Sequence, residues 1–310
     1  MKNTNRLLGL IGILTLVLAL GSPTTLWAFA GGVTLGSAGP DHYALLGLGG
    51  QGSNSDAITH TDVAINNQST ITGSVGVAGT GSISTSGNAF ITHTLFLNTA
   101  GTWNQSGTSN AAAFSQSAAT DAQLNQAVQD ALNASSQAAA LSSTQPSITS
   151  IALGSNGTLT INGTGQDVIN LTSFSLGNNS VLTLNAPAGD SFIFNISGGF
   201  TMQGKVMLVG GISPGSVLWN VTGTGAAVAF SGGGNSAQLS GILLAPFRDI
   251  ALSPGLVTGE VIGGGSSIAL SGGADIIAAV PEPATTALLI LASLLVVGRI
   301  GIGRRTKANS

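Results

Sequence analysis

Phe192-Ile193-Phe194-Asn195-Ile196-Ser197-Gly198 returns, at an offset of 25, as Val217-Leu218-Trp219-Asn220-Val221-Thr222-Gly223. Every position keeps its class: apolar, apolar, aromatic, Asn, β-branched, hydroxyl, Gly. A second register interleaves with the first. Val206-Met207-Leu208-Val209-Gly210-Gly211 recurs as Val228-Ala229-Phe230-Ser231-Gly232-Gly233, Ile250-Ala251-Leu252-Ser253-Pro254-Gly255 and Ile268-Ala269-Leu270-Ser271-Gly272-Gly273, at offsets of 22, 22 and 18. A β-rich unit of about 20 residues, punctuated by Gly, is the sequence mark of a β-solenoid. Parallel strands joined by crossovers favour the right hand. The expected fold is mainly β, an irregular right-handed β-solenoid (β-helix).

Working outward, Ile71-Thr72-Gly73-Ser74-Val75-Gly76-Val77 matches Leu239-Ser240-Gly241-Ile242-Leu243-Leu244 and Val257-Thr258-Gly259-Glu260-Val261-Ile262. Ser82-Ile83-Ser84-Thr85-Ser86-Gly87 echoes the Ile-Ala-Leu-Ser-Gly-Gly unit. Coil-like units therefore lie on both sides of a different middle segment. There, Thr120-Asp121-Ala122-Gln123 reads as a capping box. Leu124, Val128, Ala131, Leu132, Ser135 and Ala138 follow at helical spacing. The expectation is one long helix over about 121–141, closed by Pro146, with its apolar stripe against the flank of the solenoid.

Only 6% of the 310 residues are charged, while 43% are hydrophobic. That composition argues against disorder. Six of the eight basic residues lie in the end segments, leaving Lys205 and Arg248 in the body. Such a body has no electrostatic footprint for nucleic acid. With no Cys there is neither a disulfide framework nor a thiolate metal site.

The two ends differ from the body. Lys2 and Arg6 precede the apolar run Leu7 to Leu20, and Ala28-Phe29-Ala30 follows. Basic, apolar and small-residue regions in that order predict a signal peptide over residues 1–30, cut after Ala30 or Ala28. At Pro281-Glu282-Pro283 the strand pattern stops. Ala284 to Gly303 is largely apolar, and Arg304, Arg305 and Lys307 end the chain. As a helix that stretch is long enough to span a bilayer, with its basic end cytoplasmic. Hydrophobic helices are thus expected at both ends, with an exported body over 31–280 and a tail over 281–310.

This tail, from Val280-Pro281-Glu282-Pro283-Ala284-Thr285 through the apolar span to Arg304-Arg305, resembles the PEP-CTERM family of exported bacterial proteins. Arg299 inside the span departs from the cleanest tails. The resemblance implies an exosortase partner, removal of the tail after transient inner-membrane anchoring, and delivery to the surface or exopolysaccharide matrix of a Gram-negative cell. The body is similar to the ice-binding-like adhesins, on the long helix, the two Asn-centred repeats and Gly241-Ile242-Leu243-Leu244-Ala245-Pro246. It also resembles the choice-of-anchor A surface proteins, which share the Leu-Leu-Ala-Pro phrase.

Candidate chemistry is sparse. Asp56, His60 and Asp62, with His42 and His93, contain the residue types of a divalent-metal site, but no spacing repeats. Surface decoration is the preferred reading, so no metal and no cofactor is expected. Lys205, Arg248, Asp249 and Glu260 are the inventory for a polysaccharide-cleaving site. Arg248-Asp249 reads better as a corner ion pair or loop feature. No nucleophile elbow or phosphate loop fits, and no catalytic residue is assigned. Trp103, Trp219 and Phe247 are candidates for stacking on sugars, with Trp219 expected in the core. Thr158, Thr160 and Thr183 look scattered, and no Thr rank repeats at one coil position. The expected function is non-enzymatic adhesion or scaffolding with exopolysaccharide. Ice binding and a carbohydrate-active β-helix enzyme are the alternatives.

Overall fold

The computed structural model describes residues 32–50, 60–232 and 237–279. Strands of three to eight residues stack as parallel ladders on three faces. Along the first face the spatial order is Thr102–Gln105, Ser82–Thr85, Asp62–Ile65, Ser267–Leu270, Ile250–Ser253, Val228–Ser231, Phe200–Met202, Phe174–Leu176 and Ile151–Leu153. The second face carries Thr158–Asn162, Val181–Asn185 and Lys205–Val209, the first halves of Gln238–Ala245 and Leu256–Gly263, then Asp275–Ala278, Thr70–Thr72 and the start of Phe90–Leu97. The third carries Gln166–Leu171, Ser191–Ile196 and Val217–Val221, the second halves of Gln238–Ala245 and Leu256–Gly263, then Leu45–Gly47 and Val75–Val77.

Gln238–Ala245 and Leu256–Gly263 cross the corner between the second and third faces without a loop, and each of these two turns at a glycine. Gly241 and Gly259 are neighbours in the ladder with φ of 131° and 146°, and Gly73 marks the same corner with φ 144°. A side chain at Gly259 would place its Cβ well under 3.0 Å from the Gly241 carbonyl oxygen. Only glycine allows both that backbone angle and that approach. This is why the Gly in Leu239-Ser240-Gly241 and Val257-Thr258-Gly259 recurs.

The chain does not wind from one end to the other. After Leu45–Gly47 it joins the first face inside the stack, at Asp62–Ile65, and coils outward to Thr102–Gln105 and Asn110–Ser115 at one end. A 22-residue helix, α1 (Ala118–Ala139), then carries it back along the third face. From Ile151 it coils inward until Ser267–Leu270 pairs with Asp62–Ile65 and closes the stack. At 1.5 Å per residue α1 is about 33 Å long, close to the ~38 Å of eight coil spacings.

The interior divides into two apolar layers. Inside the coils, Phe174, Phe192, Phe194, Phe200, Trp219 and Phe230 stack through successive turns. Phe194 lies 4.2 Å from Trp219, centroid to centroid, with planes 6° apart. Outside the third face, Leu124, Ala127, Ala131, Ala134 and Ala138 of α1 pack on Val168, Ile193, Leu218, Ile242 and Ile262. A strap including Val33, Leu35, Tyr43 and Leu48 completes that layer.

The Asn of the opening repeat has a specific task. Asn170, Asn195 and Asn220 sit in register on the third face. Their amide nitrogens donate to the carbonyl oxygens of Leu141 (3.3 Å), Ala138 (2.7 Å) and Ser135 (3.0 Å). They also bond to each other, Asn195 to Asn170 at 2.9 Å and Asn220 to Asn195 at 2.8 Å. Three residues of helix rise about 4.5 Å, and one coil rises about 4.8 Å. The near match lets each Asn meet the helix at the same point of its turn. Two of those carbonyls lie in the last turn or beyond it, where helical partners run out.

Several expectations need correction. Val206 lies on the second face, paired with Leu182, and is not a coil-mate of Val228. The remaining members, Val228, Ile250 and Ile268, are neighbours as their match implied. The helix starts three residues early because Ser117 is the N-cap, its Oγ accepting from the Thr120 N–H at 3.2 Å. Thr120 is buried, its hydroxyl against Ser115 and Ser117. The helix also ends at Ala139, well before Pro146. The expected terminal helices, the cleavage positions Ala28 and Ala30, and Pro281, Glu282, Pro283, Arg304 and Arg305 lie outside the described residues. Among the described residues no helix is long and apolar enough to cross a membrane.

Candidate binding face

With α1 covering the third face, the first and second remain open. Strand alternation sends every second residue of the first face outward. The outward file at the strand centres reads Asn104, Ser84, Ala64, Ala269, Ala251, Ala229, Thr201, Ser175, Ala152, each the registered partner of the next. No side chain in it is larger than Asn. No Thr rank repeats in this file, which holds Thr201 alone; what repeats is a rank of small residues. The sequence offset is 23 between Ala152 and Ser175 and 18 between Ala251 and Ala269, because insertions of varying length enter the corners. The strands keep register, so the file is regular where the sequence spacing is not.

Hydroxyls fix the flanks of this file. Thr201 Oγ1 donates to Ser175 Oγ at 3.1 Å, Ser271 Oγ to Ser253 Oγ at 2.9 Å, and Ser86 Oγ to Asn66 Oδ1 at 2.6 Å. Ser82 donates from both N–H and Oγ to Asp62 Oδ1, each at 2.8 Å. Side chains held this way lose little freedom on binding. Thr160 and Thr183, scattered in the sequence, are direct neighbours on the second face. That face is less even, because Met207, Val209, Ile277 and Phe90 stand exposed among its polar residues.

The candidate chemistry disperses. Arg248 is only 2% exposed. Its guanidinium donates to the carbonyl oxygens of Gly223, Ala226, Ser197 and Thr222 at 3.0–3.2 Å. Asp249 instead accepts from Ser266 Oγ and the Ser267 N–H. Of the two readings, corner ion pair or loop feature, the second holds: two separate networks form, and Arg248 tacks together the corners of neighbouring coils. Burial lowers its pKa. Lys205 lies on the second face, far around the coil.

Glu260 is fully buried, and neither carboxyl oxygen has a hydrogen-bond partner. Desolvation raises its pKa well above the usual carboxylate range, and the charge of Asp41 adds to this. Tyr43 also has an unpartnered hydroxyl, its pKa pushed up to about 12 by burial and by Glu260. Glu260 is thus closed away from solvent and from any substrate at the surface. His60 Nε2 lies 3.6 Å from Asp62 Oδ2 at the surface. His42 and His93 line a different depression of about 280 Å³, with Asp41, Tyr43 and Thr72. Asp56 lies outside the described residues. Among the described residues no three metal-ligating side chains gather. Of the stacking candidates, Trp219 is in the core, and Trp103 and Phe247 are half-buried.

A family profile described as an ice-binding-like adhesive domain matches residues 27–275. The chain belongs to this family. Solved structures with a similar fold include an ice-binding protein from an Antarctic biological consortium, 20% identical, TM-score 0.50, covering 84% of this chain and 96% of that one. A glycosylated ice-binding protein from an Arctic yeast is 18% identical, TM-score 0.51, covering 81% and 96%. At such identities the likeness concerns the fold alone. No curated protein matches the chain. Both the family and these neighbours are adhesive or ice-binding proteins, not enzymes. The first face carries the unbroken file of small side chains.

Proposed function

We propose that the chain is an exported, non-catalytic adhesive domain that holds an extended, weakly charged, repetitive surface with its first face. The observation that carries this is the unbroken file from Asn104 to Ala152. No side chain in the file stands proud, so a flat surface meets all nine coils at once, and many weak contacts add without large ordering losses. The bound surface is not strongly acidic, because Arg248 is buried and Lys205 is on another face. A neutral exopolysaccharide at the cell surface meets that description.

Ice is the second reading. It is favoured by the absence of any aromatic side chain from the file, since stacking platforms are a common means of holding sugars. The family description and the printed names of the similar structures point the same way. One substitution tests both: Ala251→Lys, in the middle of the file. The parent should retain either neutral exopolysaccharide or ice, read by pull-down and by thermal hysteresis, and the variant should lose it with unchanged melting temperature. Equal binding by the variant sinks the face assignment. Binding of neither ligand by the parent sinks the proposal.

Delivery belongs to the same proposal. Residues 1–30 direct export, and an exosortase acts at Pro281-Glu282-Pro283 after the apolar tail has held the chain in the inner membrane. Replacing those three residues should retain the protein in the membrane fraction. Unchanged release removes the sorting step.

A further inference from the structure

The two ends of the solenoid are not alike. At the Ile151 end, the loop after α1 crosses the open coil. Thr144 N–H donates to Val168 O at 2.8 Å, Val168 N–H donates to Thr144 Oγ1 at 3.0 Å, and Gln145 Nε2 donates to Asp167 Oδ1 at 2.8 Å. Ile148 packs onto the core beside Leu153 and Leu159. Nothing comparable crosses the other end among the described residues. There Thr102–Gln105 pairs only with Ser82–Thr85, and Asn110–Ser115 only with Phe90–Leu97. Their outer edges have no neighbouring strand among the described residues, and Asn110 Oδ1 covers one donor there, the Ala111 N–H, at 2.8 Å.

Such edges invite pairing, and soluble proteins usually blunt them with Lys, Pro or other charges. Neither Thr102-Trp103-Asn104-Gln105 nor Asn110-Ala111-Ala112-Ala113-Phe114-Ser115 contains any. The nearby Asp121 is engaged by the Thr99 N–H and hydroxyl at 2.8 and 2.5 Å. Phe114 is 46% exposed, its ring 5.3 Å from that of the half-buried Trp103. An end that meets its own copy must avoid like charges, and these strands are neutral. Aromatic side chains at the middle of a small patch are also the usual anchors of an interface.

We propose that this uncapped end docks a second copy of the chain, end to end about a two-fold axis. Thr102–Gln105 pairs antiparallel with its symmetry mate, and the exposed Phe114 rings are buried at the junction. Two-fold pairing is closed, so it stops at a dimer and does not run on into a filament. The end is small, so the dimer is weak and concentration-dependent. With the axis normal to the first face, the file of small residues continues across the junction and doubles in length, which favours multivalent holding.

The absence of Cys gives a direct test in the full chain. Asn104→Cys should cross-link to itself with a short bis-maleimide, increasingly at higher protein concentration. Ala152→Cys, at the capped end, should not. Phe114→Asp added to Asn104→Cys should abolish the cross-link while the thermal melt stays unchanged. A hetero-cross-link between Asn104→Cys and Ala152→Cys chains would mean head-to-tail stacking and overturn the two-fold arrangement. No self-cross-link at any concentration overturns the docking site itself. This outcome is independent of whether the first face binds ice or glycan.

Discussion

Asn220→Ala isolates the ladder that ties α1 to the coils. Asn220 is fully buried and makes three side-chain hydrogen bonds: to Ser135 O at 3.0 Å, to Asn195 Oδ1 at 2.8 Å, and from Ser135 Oγ at 2.7 Å. Each buried bond contributes about 1 kcal/mol net, and a stranded hydroxyl costs a further ~1 kcal/mol or more. The expected loss is about 3–4 kcal/mol in urea unfolding monitored by circular dichroism. Asn170→Ala, at the exposed end of the same ladder, removes a donor bond to the helix of 3.3 Å and should cost under about 1 kcal/mol. Asn220→Asp sharpens the test. Its carboxylate would face the oxygens of Ser135 and Asn195 that now accept from the amide. The folded-state pKa of that new carboxyl is raised, so stability is retained below the ordinary Asp value and falls as pH rises through the raised one. A cost below about 1 kcal/mol for Asn220→Ala, or a flat pH profile for Asn220→Asp, would refute the ladder as a structural tie.

Further outcomes follow from three buried residues and one exposed control. Glu260 has a raised pKa, so its contribution is complete below the ordinary Glu value and is lost as pH rises through the raised one. Glu260→Gln should flatten the fall in melting temperature on the alkaline side, and an unchanged slope would show that Glu260 is not its source. Arg248→Met leaves four carbonyl oxygens without their donor and should cost about 3–5 kcal/mol in chemical denaturation. Gly259→Ala should destabilise severely, by more than about 3 kcal/mol, because its Cβ would collide with Gly241 O. Gly165→Ala, where nothing lies within 4 Å at φ 72°, should cost only about 1 kcal/mol by thermal melt.

The repeat of Phe192 to Gly198 at Val217 is legible because adjacent coils bury the same residue classes at the same place, and the ladder pairs them one to one. The helix is legible from its stripe, and its cap is not. Ser117 and Thr120 both offer a hydroxyl at the right place, and only the burial of Thr120 decides between them. Val206 reads as a mate of Val228 because apolar alternation is the same on every face of a solenoid. The small-residue file is legible only in part: the repeats align Ala229, Ala251, Ala269 and Ser84, and its continuity is hidden for a different reason. Its neighbours Ala64 and Ala269 come from opposite ends of the body, joined by a closing seam that no local period announces. The role of Arg248 is equally hidden, since its four carbonyl partners carry no side-chain signature.

That seam decides how the domain stands on whatever carries it. Chain exit at Ala279 lies beside Thr70–Thr72, in the coils next to where Asp62–Ile65 meets Ser267–Leu270, whereas Thr34 reaches Gln137 of α1 towards the Ile151 end. A tether continuing from Ala279 therefore grips the rod at its waist, and the rod lies crosswise like the bar of a T. An end-on tether would offer the environment a tip a few residues wide. A waist-held rod offers its whole flank and leaves both tips free, so reach is exchanged for contact area. The architecture also cannot lengthen by adding units at its termini, as ordinary repeat arrays do. Growth has to occur inside the two arms, and every added coil must be matched by a longer helix.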